Sequence, residues 1–119
     1  SEACNYQYIV LEVDETEAGL SRDLLLAILQ AENVIARRYF YPGCHRMEPY
    51  RSYFPHAGLL LPQTERLVER VLVLPTGTGV EPDQISQICR LIRLVIEYRA
   101  YIVNKLKPDP EGEWVPWAA

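Results

Sequence analysis

A long amphipathic stretch near the carboxyl end constrains the fold of this chain most strongly. Residues 82–107 read PDQISQICRLIRLVIEYRAYIVNKLK and form the longest helical pattern in the sequence, opened by Pro82 and Asp83. Branched apolar residues recur along one stripe of this predicted helix, namely Ile85, Ile88, Ile92 and Val95. A helix with one apolar stripe needs a second apolar layer to bury it.

Three short runs rich in β-branched and aromatic residues are the predicted strands. The first, residues 5–13, alternates imperfectly between apolar and polar residues, which predicts a central strand covered on both faces. The second, residues 34–40, contains Arg37 and Arg38, whose side chains must point to opposite sides of a sheet. The third is the buried VLVL run at residues 71–74.

Two shorter helices are predicted between these strands. Ser21 is a suitable N-cap for a leucine-rich amphipathic helix that ends near Asn33. Pro62 opens a short helix that turns Leu67 and Val68 inward. The connection before the first of these helices, DETEAG, predicts an acidic, well-solvated loop.

The order of elements predicts the fold class. Strand, helix, strand, loop, helix, strand and helix follow one another in a chain of 119 residues, which is the length of one domain. We therefore expect an α/β (α+β) fold, a small two-layer sandwich with one short sheet and helices mainly on one face.

Charge and cysteine content exclude several classes of function. The formal net charge is −4, with no Lys/Arg cluster that would follow a phosphate backbone, so we expect no nucleic-acid partner. No apolar run approaches the ~20 residues of a membrane helix, so we expect no membrane partner. Cys4, Cys44 and Cys89 are an odd number without a short repeated spacing, which predicts neither disulfides nor structural zinc and favours a cytoplasmic location. Because Met47 is the only methionine and does not begin the sequence, we expect a processed product, an engineered chain or a piece of a longer chain.

The segment FYPGCHRMEPY, residues 40–50, is the first candidate for a functional site. His45 is the side chain here that titrates near neutral pH in its free form, and Cys44 beside it suggests metal or thiol chemistry. No second close Cys/His pair completes a zinc shell, and no base and orienting group accompany the thiol. A small apolar filler is the favoured interpretation of Cys44.

Three further patterns leave two interpretations each. Tyr41 and His45 frame a Pro-Gly turn at the end of a strand, where ligand clefts often lie, although a purely structural loop is the alternative. Arg38 or its neighbour, if partly buried, needs an anion, which is either a carboxylate of this chain or a ligand phosphate. The TGTG run at residues 76–79 precedes a helix and suits an anion, but a plain turn is favoured.

Several linked motifs resemble the carboxyl-terminal small domain of the DegT/DnrJ/EryC1/StrS family of pyridoxal-phosphate-dependent (PLP-dependent) sugar aminotransferases. The similarity covers residues 5–97, beginning with an aromatic pair, Tyr6 and Tyr8, in the opening strand. The matching positions of the central motif are Tyr41, Pro42, His45 and Tyr50. Those of a later motif are Pro62, Thr64, Glu65, Arg66 and Leu67, followed by Leu74 and Pro75.

This resemblance implies a fold and places the cofactor on a different domain. It implies a short, mainly antiparallel sheet in a small domain spanning residues 1–97, with residues 98–119 continuing the last helix into a tail. In the family a separate large domain carries PLP and the lysine that binds it covalently. The only lysines here are Lys105 and Lys107, and neither matches a cofactor motif of the family. The chain alone is then expected to bind no PLP and to transaminate nothing.

The resemblance also implies a set of substrate contacts. Tyr41 would contact the sugar or pyrophosphate of a nucleotide-diphosphate sugar, His45 would lie at the rim of the cleft, and Arg38 would be a weaker contact of the diphosphate. Phe40, Gly43 and Cys44 depart from the family pattern, which implies a more flexible loop with altered contacts.

An isolated small domain would expose the apolar surface that faces the large domain. Five residues near the carboxyl end could cover that surface or form a homodimer contact, namely Tyr98, Tyr101, Ile102, Trp114 and Trp117. Two rival functions remain at this point. The chain could be a non-enzymatic assembly module that pairs with itself or with a separate large domain, or a small independent enzyme with His45 as general base.

Overall fold

The computed structural model describes residues 7–106 and 108 of the chain. The strands are β1 (Ile9–Glu12), β2 (Arg37–Arg38) and β3 (Val71–Leu74). The helices are α1 (Glu15–Ala18), α2 (Arg22–Ala31), α3 (Tyr50–Tyr53), α4 (Ala57–Leu60), α5 (Pro62–Arg70), α6 (Pro82–Glu97) and α7 (Arg99–Lys105), and a 3-10 turn spans Cys44–Arg46. None of the helices described is both long and apolar enough to cross a membrane.

The sheet has three antiparallel strands in the order β1-β3-β2. Ile9 pairs with Leu74 on one side of β3, and Arg38 pairs with Leu72 on the other. The α+β fold and the short antiparallel sheet are therefore confirmed. The prediction that the first strand is central was wrong, because β3 holds that place and β1 lies at an edge with most of its residues exposed.

The core lies between the inner face of the sheet and helices α2 and α6. Leu72 from the central strand is completely buried and packs with the leucines of α2 and with Val95 of α6. Because strand side chains alternate, Val10 and Val71 lie on the opposite, outer face of the sheet. That outer face opens into the candidate site described below.

Most predicted helix starts are confirmed. The hydroxyl oxygen of Ser21 accepts a hydrogen bond from the Leu24 amide, at 3.2 Å, and caps α2. Helices α5 and α6 begin at Pro62 and Pro82, as predicted. Val68 is buried as predicted, but Leu67 is not and faces the candidate site.

The predicted extent of the last long helix differs from the structure. The long carboxyl-terminal helix is interrupted at Tyr98, where α6 gives way to α7. Ile102 packs against the core, whereas the rings of Tyr98 and Tyr101 are exposed. The predictions for Cys4, Tyr6, Lys107, Trp114 and Trp117 fall outside the described residues.

The predicted acidic loop is a short helix. Asp14 caps α1 by accepting hydrogen bonds from the amide of Thr16, at 3.0 Å, and from its hydroxyl, at 2.6 Å. Its second oxygen accepts a hydrogen bond from Nη1 of Arg70 in α5 at 2.7 Å. Gly19 ends the helix at a φ of 73°, which favours glycine. The carboxylate of Asp14 thus supplies the cap that the composition of the segment alone did not reveal.

We expect Asp14 to make the stability of the chain sensitive to acid. The hydrogen bonds from Thr16 and the charge of Arg70 lower the pKa of Asp14 from 3.8 to about 2. A carboxyl group whose pKa is lower in the folded state stabilises the fold above pH 3.8 and loses that contribution as the pH falls towards 2. Urea unfolding between pH 5 and about pH 2 measures this loss, and Asp14→Asn should flatten it. An unchanged slope in Asp14→Asn would contradict the assignment.

Candidate functional site

A wide apolar groove of about 1110 Å³ opens on the outer face of the sheet. We call it the aromatic groove, because rings from the loop after β2 and from α3 line it, namely Tyr39, Phe40, Tyr50, Tyr53 and Phe54. Val10 and Val71 form its floor, and leucines of α4 and α5 close one side. The 3-10 turn contributes Cys44 and His45. A cavity of this size is large enough for a ligand or for a segment of another protein.

The rim of the aromatic groove is unusually exposed for apolar side chains. Tyr53 and Leu60, which line the groove, are 71% and 81% exposed, and Leu59, next to Leu60 in the chain, is 82% exposed. Single exposed apolar residues are common, but a contiguous group of this kind marks an interaction surface. Helix α4, which carries both leucines, was not predicted, because its sequence, AGLL, is too short to show a periodic pattern.

His45 lies at the groove and is held by an acidic residue of α5. Its side chain is 8% exposed, and its Nε2 lies 2.5 Å from Oε1 of Glu65. Arg46 donates a hydrogen bond from Nε to the same oxygen at 2.9 Å and another from Nη2 to Oε2 of Glu65. We call these three side chains the carboxylate clamp.

Hydrogen bonding in the carboxylate clamp shifts the pKa values of Glu65 and Arg46. The hydrogen bonds from Arg46 and then from His45 hold the pKa of Glu65 below its usual value. Glu65 in turn raises the pKa of Arg46. Glu65 is therefore ionised across the neutral range and serves as an acceptor for both donors.

Gly43 gives the His45 ring the space it occupies. Its φ is 101°, and a Cβ at this position would lie 2.6 Å from Cε1 and 2.9 Å from Nδ1 of His45. The absence of a side chain at Gly43 therefore permits close contact between the ring and the backbone. The neighbouring Cys44 is exposed, so its interpretation as an apolar filler was wrong.

Arg38 and Tyr41 meet in a second place, outside the lining of the aromatic groove. The Arg38 guanidinium lies 4.9 Å from the centroid of the Tyr41 ring, and its Nε lies 3.1 Å from Oδ1 of Asp23. The structure thus brings two of the three predicted site residues together, whereas the third, His45, lines the aromatic groove. Of the two anions considered for Arg38, the structure provides a carboxylate of the same chain.

A buried arginine completes this second cluster and had no signal in the sequence. Arg22 has a side-chain exposure of 0%, lies 5.5 Å from the Tyr41 ring centroid, and approaches Asp23 at 2.8 Å. Its Nη1 donates to the carbonyl oxygens of Val68, at 3.0 Å, and Val71, at 2.8 Å. Arg22 thereby joins the start of α2 to the junction of α5 and β3.

The TGTG run forms a turn. Thr76 donates its hydroxyl to the carbonyl oxygen of Gln7 at 3.0 Å, and Gly77 has a φ of 114°. A capping box between Glu81 and Gln84 occupies the start of α6. Within residues 7–106 and 108, no group of His, Cys, Asp and Glu side chains is arranged to hold a metal ion.

The residues that line the aromatic groove do not fit a covalently bound PLP. No lysine is among them, and the one lysine in the described part of the chain, Lys105, is exposed on α7 with its ammonium 5.8 Å from the Tyr101 ring centroid. An exposed amine lacks the desolvation that activates a lysine nucleophile. We therefore assign no chemical step through PLP to these residues.

Comparison with known proteins relates this geometry to an enzyme family. A sequence model of the DegT/DnrJ/EryC1/StrS aminotransferase family matches residues 1–93. The chain is 30% identical over 88 residues to dTDP-4-amino-4,6-dideoxy-D-glucose transaminase of Escherichia coli, covering 74% of this chain and 24% of the relative. The crystal structure of DesI in the presence of its TDP-sugar product superimposes with a TM-score of 0.74 at 46% identity, over 85% of this chain and 25% of DesI. The chain thus spans about a quarter of the length of both relatives.

Proposed function

Because the chain belongs to the DegT/DnrJ/EryC1/StrS aminotransferase family, we propose that it is the carboxyl-terminal small domain of a nucleotide-sugar aminotransferase. Residues 1–97 form this domain, and residues 98–119 extend it beyond the last long helix. It supplies one wall of the substrate cleft, while a separate PLP-binding large domain supplies the lysine. The chain alone is inactive.

The single observation that carries this proposal is the exposed aromatic groove. The rim includes Leu60, which is 81% exposed, and an exposed apolar surface of this kind needs a covering partner. The chain matches only about a quarter of each relative, so the remaining three quarters could supply that partner. The partner proposed here is the rest of such an enzyme, which docks against the groove. An interface of about 800 Å² on each side is the usual size for a specific complex.

The proposed substrate wall consists of Tyr41, Arg38 and His45. The Arg38 guanidinium contacts the Tyr41 ring, and Arg38 and Arg22 both pair with Asp23. Two arginines on one carboxylate leave a net positive charge, which suits the diphosphate of a nucleotide sugar. The relatives support this substrate class, since one is named for a dTDP-sugar and DesI was crystallised with a TDP-sugar product. A cytoplasmic location is part of the proposal, supported by the free thiols of Cys44 and Cys89.

Reconstitution tests the proposal. The chain is co-expressed with the DesI remainder, which we define as the three quarters of DesI outside the region matched by this chain. We expect PLP-dependent amino transfer to a TDP-linked keto-sugar from the mixture and none from the chain alone. Tyr41→Phe should weaken TDP-sugar binding by about 2- to 10-fold, the range for one lost hydrogen bond. Transfer by the chain alone would overturn the proposal.

A second candidate function, an assembly module that pairs with itself, is favoured by one observation. Tyr98 and Tyr101 expose their rings at the carboxyl end, apart from the aromatic groove. Analytical ultracentrifugation of the chain distinguishes the two functions. A homodimer that is dissociated by Tyr101→Glu and does not bind the DesI remainder would favour the assembly module.

A further inference from the structure

The hydrogen bonds of the carboxylate clamp leave His45 no free Nε2–H for a ligand. Oε1 of Glu65 lies 2.5 Å from Nε2 of His45 and 2.9 Å from Nε of Arg46, so one carboxylate oxygen serves two donors. The adjoining Nδ1–Cε1 edge of the ring lies against Gly43. Both nitrogen-bearing edges of the imidazole are therefore directed at protein groups, although the residue lines the aromatic groove.

Two glycines make room for this arrangement, each on a different segment. A Cβ on Gly43 would meet the His45 ring at 2.6 Å, and a Cβ on Gly58 of α4 would meet Oε1 of Glu65 at 2.9 Å. Gly58 has no positive φ, so its helical backbone does not itself require glycine. The space at Gly58 serves the position of the Glu65 carboxylate.

The carboxylate clamp lies between two short elements and a longer helix that is anchored in the fold. The turn Cys44–Arg46 and helix α4 are each only three or four residues long, whereas α5 is anchored by buried Val68 and runs directly into the central strand β3. Short elements of this kind hold their place through side-chain contacts rather than through their own helical hydrogen bonds. Glu65, on α5, is in contact with both.

We propose that Glu65 is a positioning residue of the cleft, which fixes the wall of the aromatic groove by holding His45 and Arg46 on one carboxylate. His45 then acts as a cross-link between the turn and α5 and presents its ring to the groove. It does not donate Nε2–H to the substrate. The effect on substrate binding rests on the proposed function, whereas the clamp itself does not.

Nitrogen-15 NMR of the 119-residue chain tests the clamp directly, with His56 as an internal control. His56 also lines the aromatic groove, but its ring makes no hydrogen bond or ion pair to any residue that the structure describes. We expect a protected Nε2–H proton for His45 and none for His56. Glu65→Gln should accelerate exchange of the His45 ring proton by at least about tenfold, because a hydrogen bond to a charged acceptor is lost. Unchanged exchange in Glu65→Gln would overturn the proposal.

Gly58→Ala provides a second test that leaves every charged group in place. Alanine is normally the better helix former, so this change in α4 would ordinarily raise the melting temperature. If the clamp is as described, the added methyl displaces Glu65, lowers the melting temperature and exposes the His45 ring proton. A higher melting temperature with the ring proton still protected would overturn the proposal.

TDP-sugar binding to the chain reconstituted with the DesI remainder tests the role in the cleft. We expect His45→Asn and Glu65→Gln to weaken binding equally, and the double variant to be no weaker than either, because both act through one contact. A larger loss in His45→Asn, additive with Glu65→Gln, would mean that His45 contacts the substrate itself and would overturn the positioning role. If the wild-type assembly binds no TDP-sugar, the proposed function fails, and the two measurements on the chain alone still decide the clamp.

Discussion

Arg22→Met is expected to lower the free energy of unfolding of this chain by about 3 kcal/mol, at the lower end of the range for breaking a buried ion pair. Methionine fills much of the same volume but donates no hydrogen bond. The carbonyl oxygens of Val68 and Val71 lose their donor, and Asp23 loses one of its two cations. Because Arg38 still pairs with Asp23, which is partly exposed, the upper end of the range is not expected.

Urea unfolding followed by far-ultraviolet circular dichroism measures this change, with Arg37→Met as the matched control. Arg37 lies one residue before Arg38 in β2, and its side chain is exposed, so its replacement should alter stability by no more than about 0.5 kcal/mol. Equal stability of the two variants would show that the contacts of Arg22 contribute nothing to the fold. A loss confined to Arg22→Met would support its role in joining α2 to α5 and β3.

Leu60→Glu is expected to weaken docking of the chain to the DesI remainder by at least about 30-fold, which corresponds to about 2 kcal/mol, the loss that defines a binding hot spot. Leu60 lines the aromatic groove and is 81% exposed in the free chain, so the substitution should leave the fold intact. In the docked state the glutamate would be buried in an apolar groove without a partner, which is costly for a charged group. Isothermal titration calorimetry measures the affinity.

The matched control places the same substitution on another surface. Leu94 of α6 is 53% exposed and is not among the residues that line the aromatic groove, so Leu94→Glu should retain the wild-type affinity. Equal losses in both variants would indicate a nonspecific effect of charge. Wild-type affinity in Leu60→Glu would place the partner elsewhere on the domain.

The sequence predicted the starts of α2, α5 and α6 because these starts are marked by local signals. Ser21, Pro62 and Pro82 each define the beginning of a helix through groups only a few residues away. The prediction for the acidic segment before α2 was wrong because its composition indicated a solvated loop. The Asp14 cap is itself local, since it accepts hydrogen bonds from Thr16 two residues away, and only the contact with Arg70 spans 56 residues.

The wrong prediction that the first strand is central has a physical cause. Val10 is apolar and lies on the outer face of an edge strand, so the pattern of the segment indicates burial on both sides. In the proposed complete enzyme the outer face is covered by the large domain, and the sequence is adapted to that covered state. Apolar patterning reports burial but cannot distinguish burial within one domain from burial between two.

Of the three predicted substrate contacts, only His45 lines the aromatic groove, whereas Tyr41 and Arg38 contact each other outside its lining. Their contact with a substrate stays a prediction. Glu65 stood in a recognised motif, but its contact with His45 spans 20 residues. Arg22 contacts carbonyl groups 46 and 49 residues away and shares no spacing pattern with them. Contacts of this length follow from the tertiary fold, which local sequence patterns do not contain.

The strand order also determines the sequence of events during synthesis of the chain. Glu12 of β1 pairs with Val71 of β3, which is added 59 positions later. At about 5–20 residues per second, the ribosome needs roughly 3–12 s to produce that partner after β1 has been made. Strand β1 therefore spends seconds without its partner strand and cannot enter the sheet until β3 has emerged.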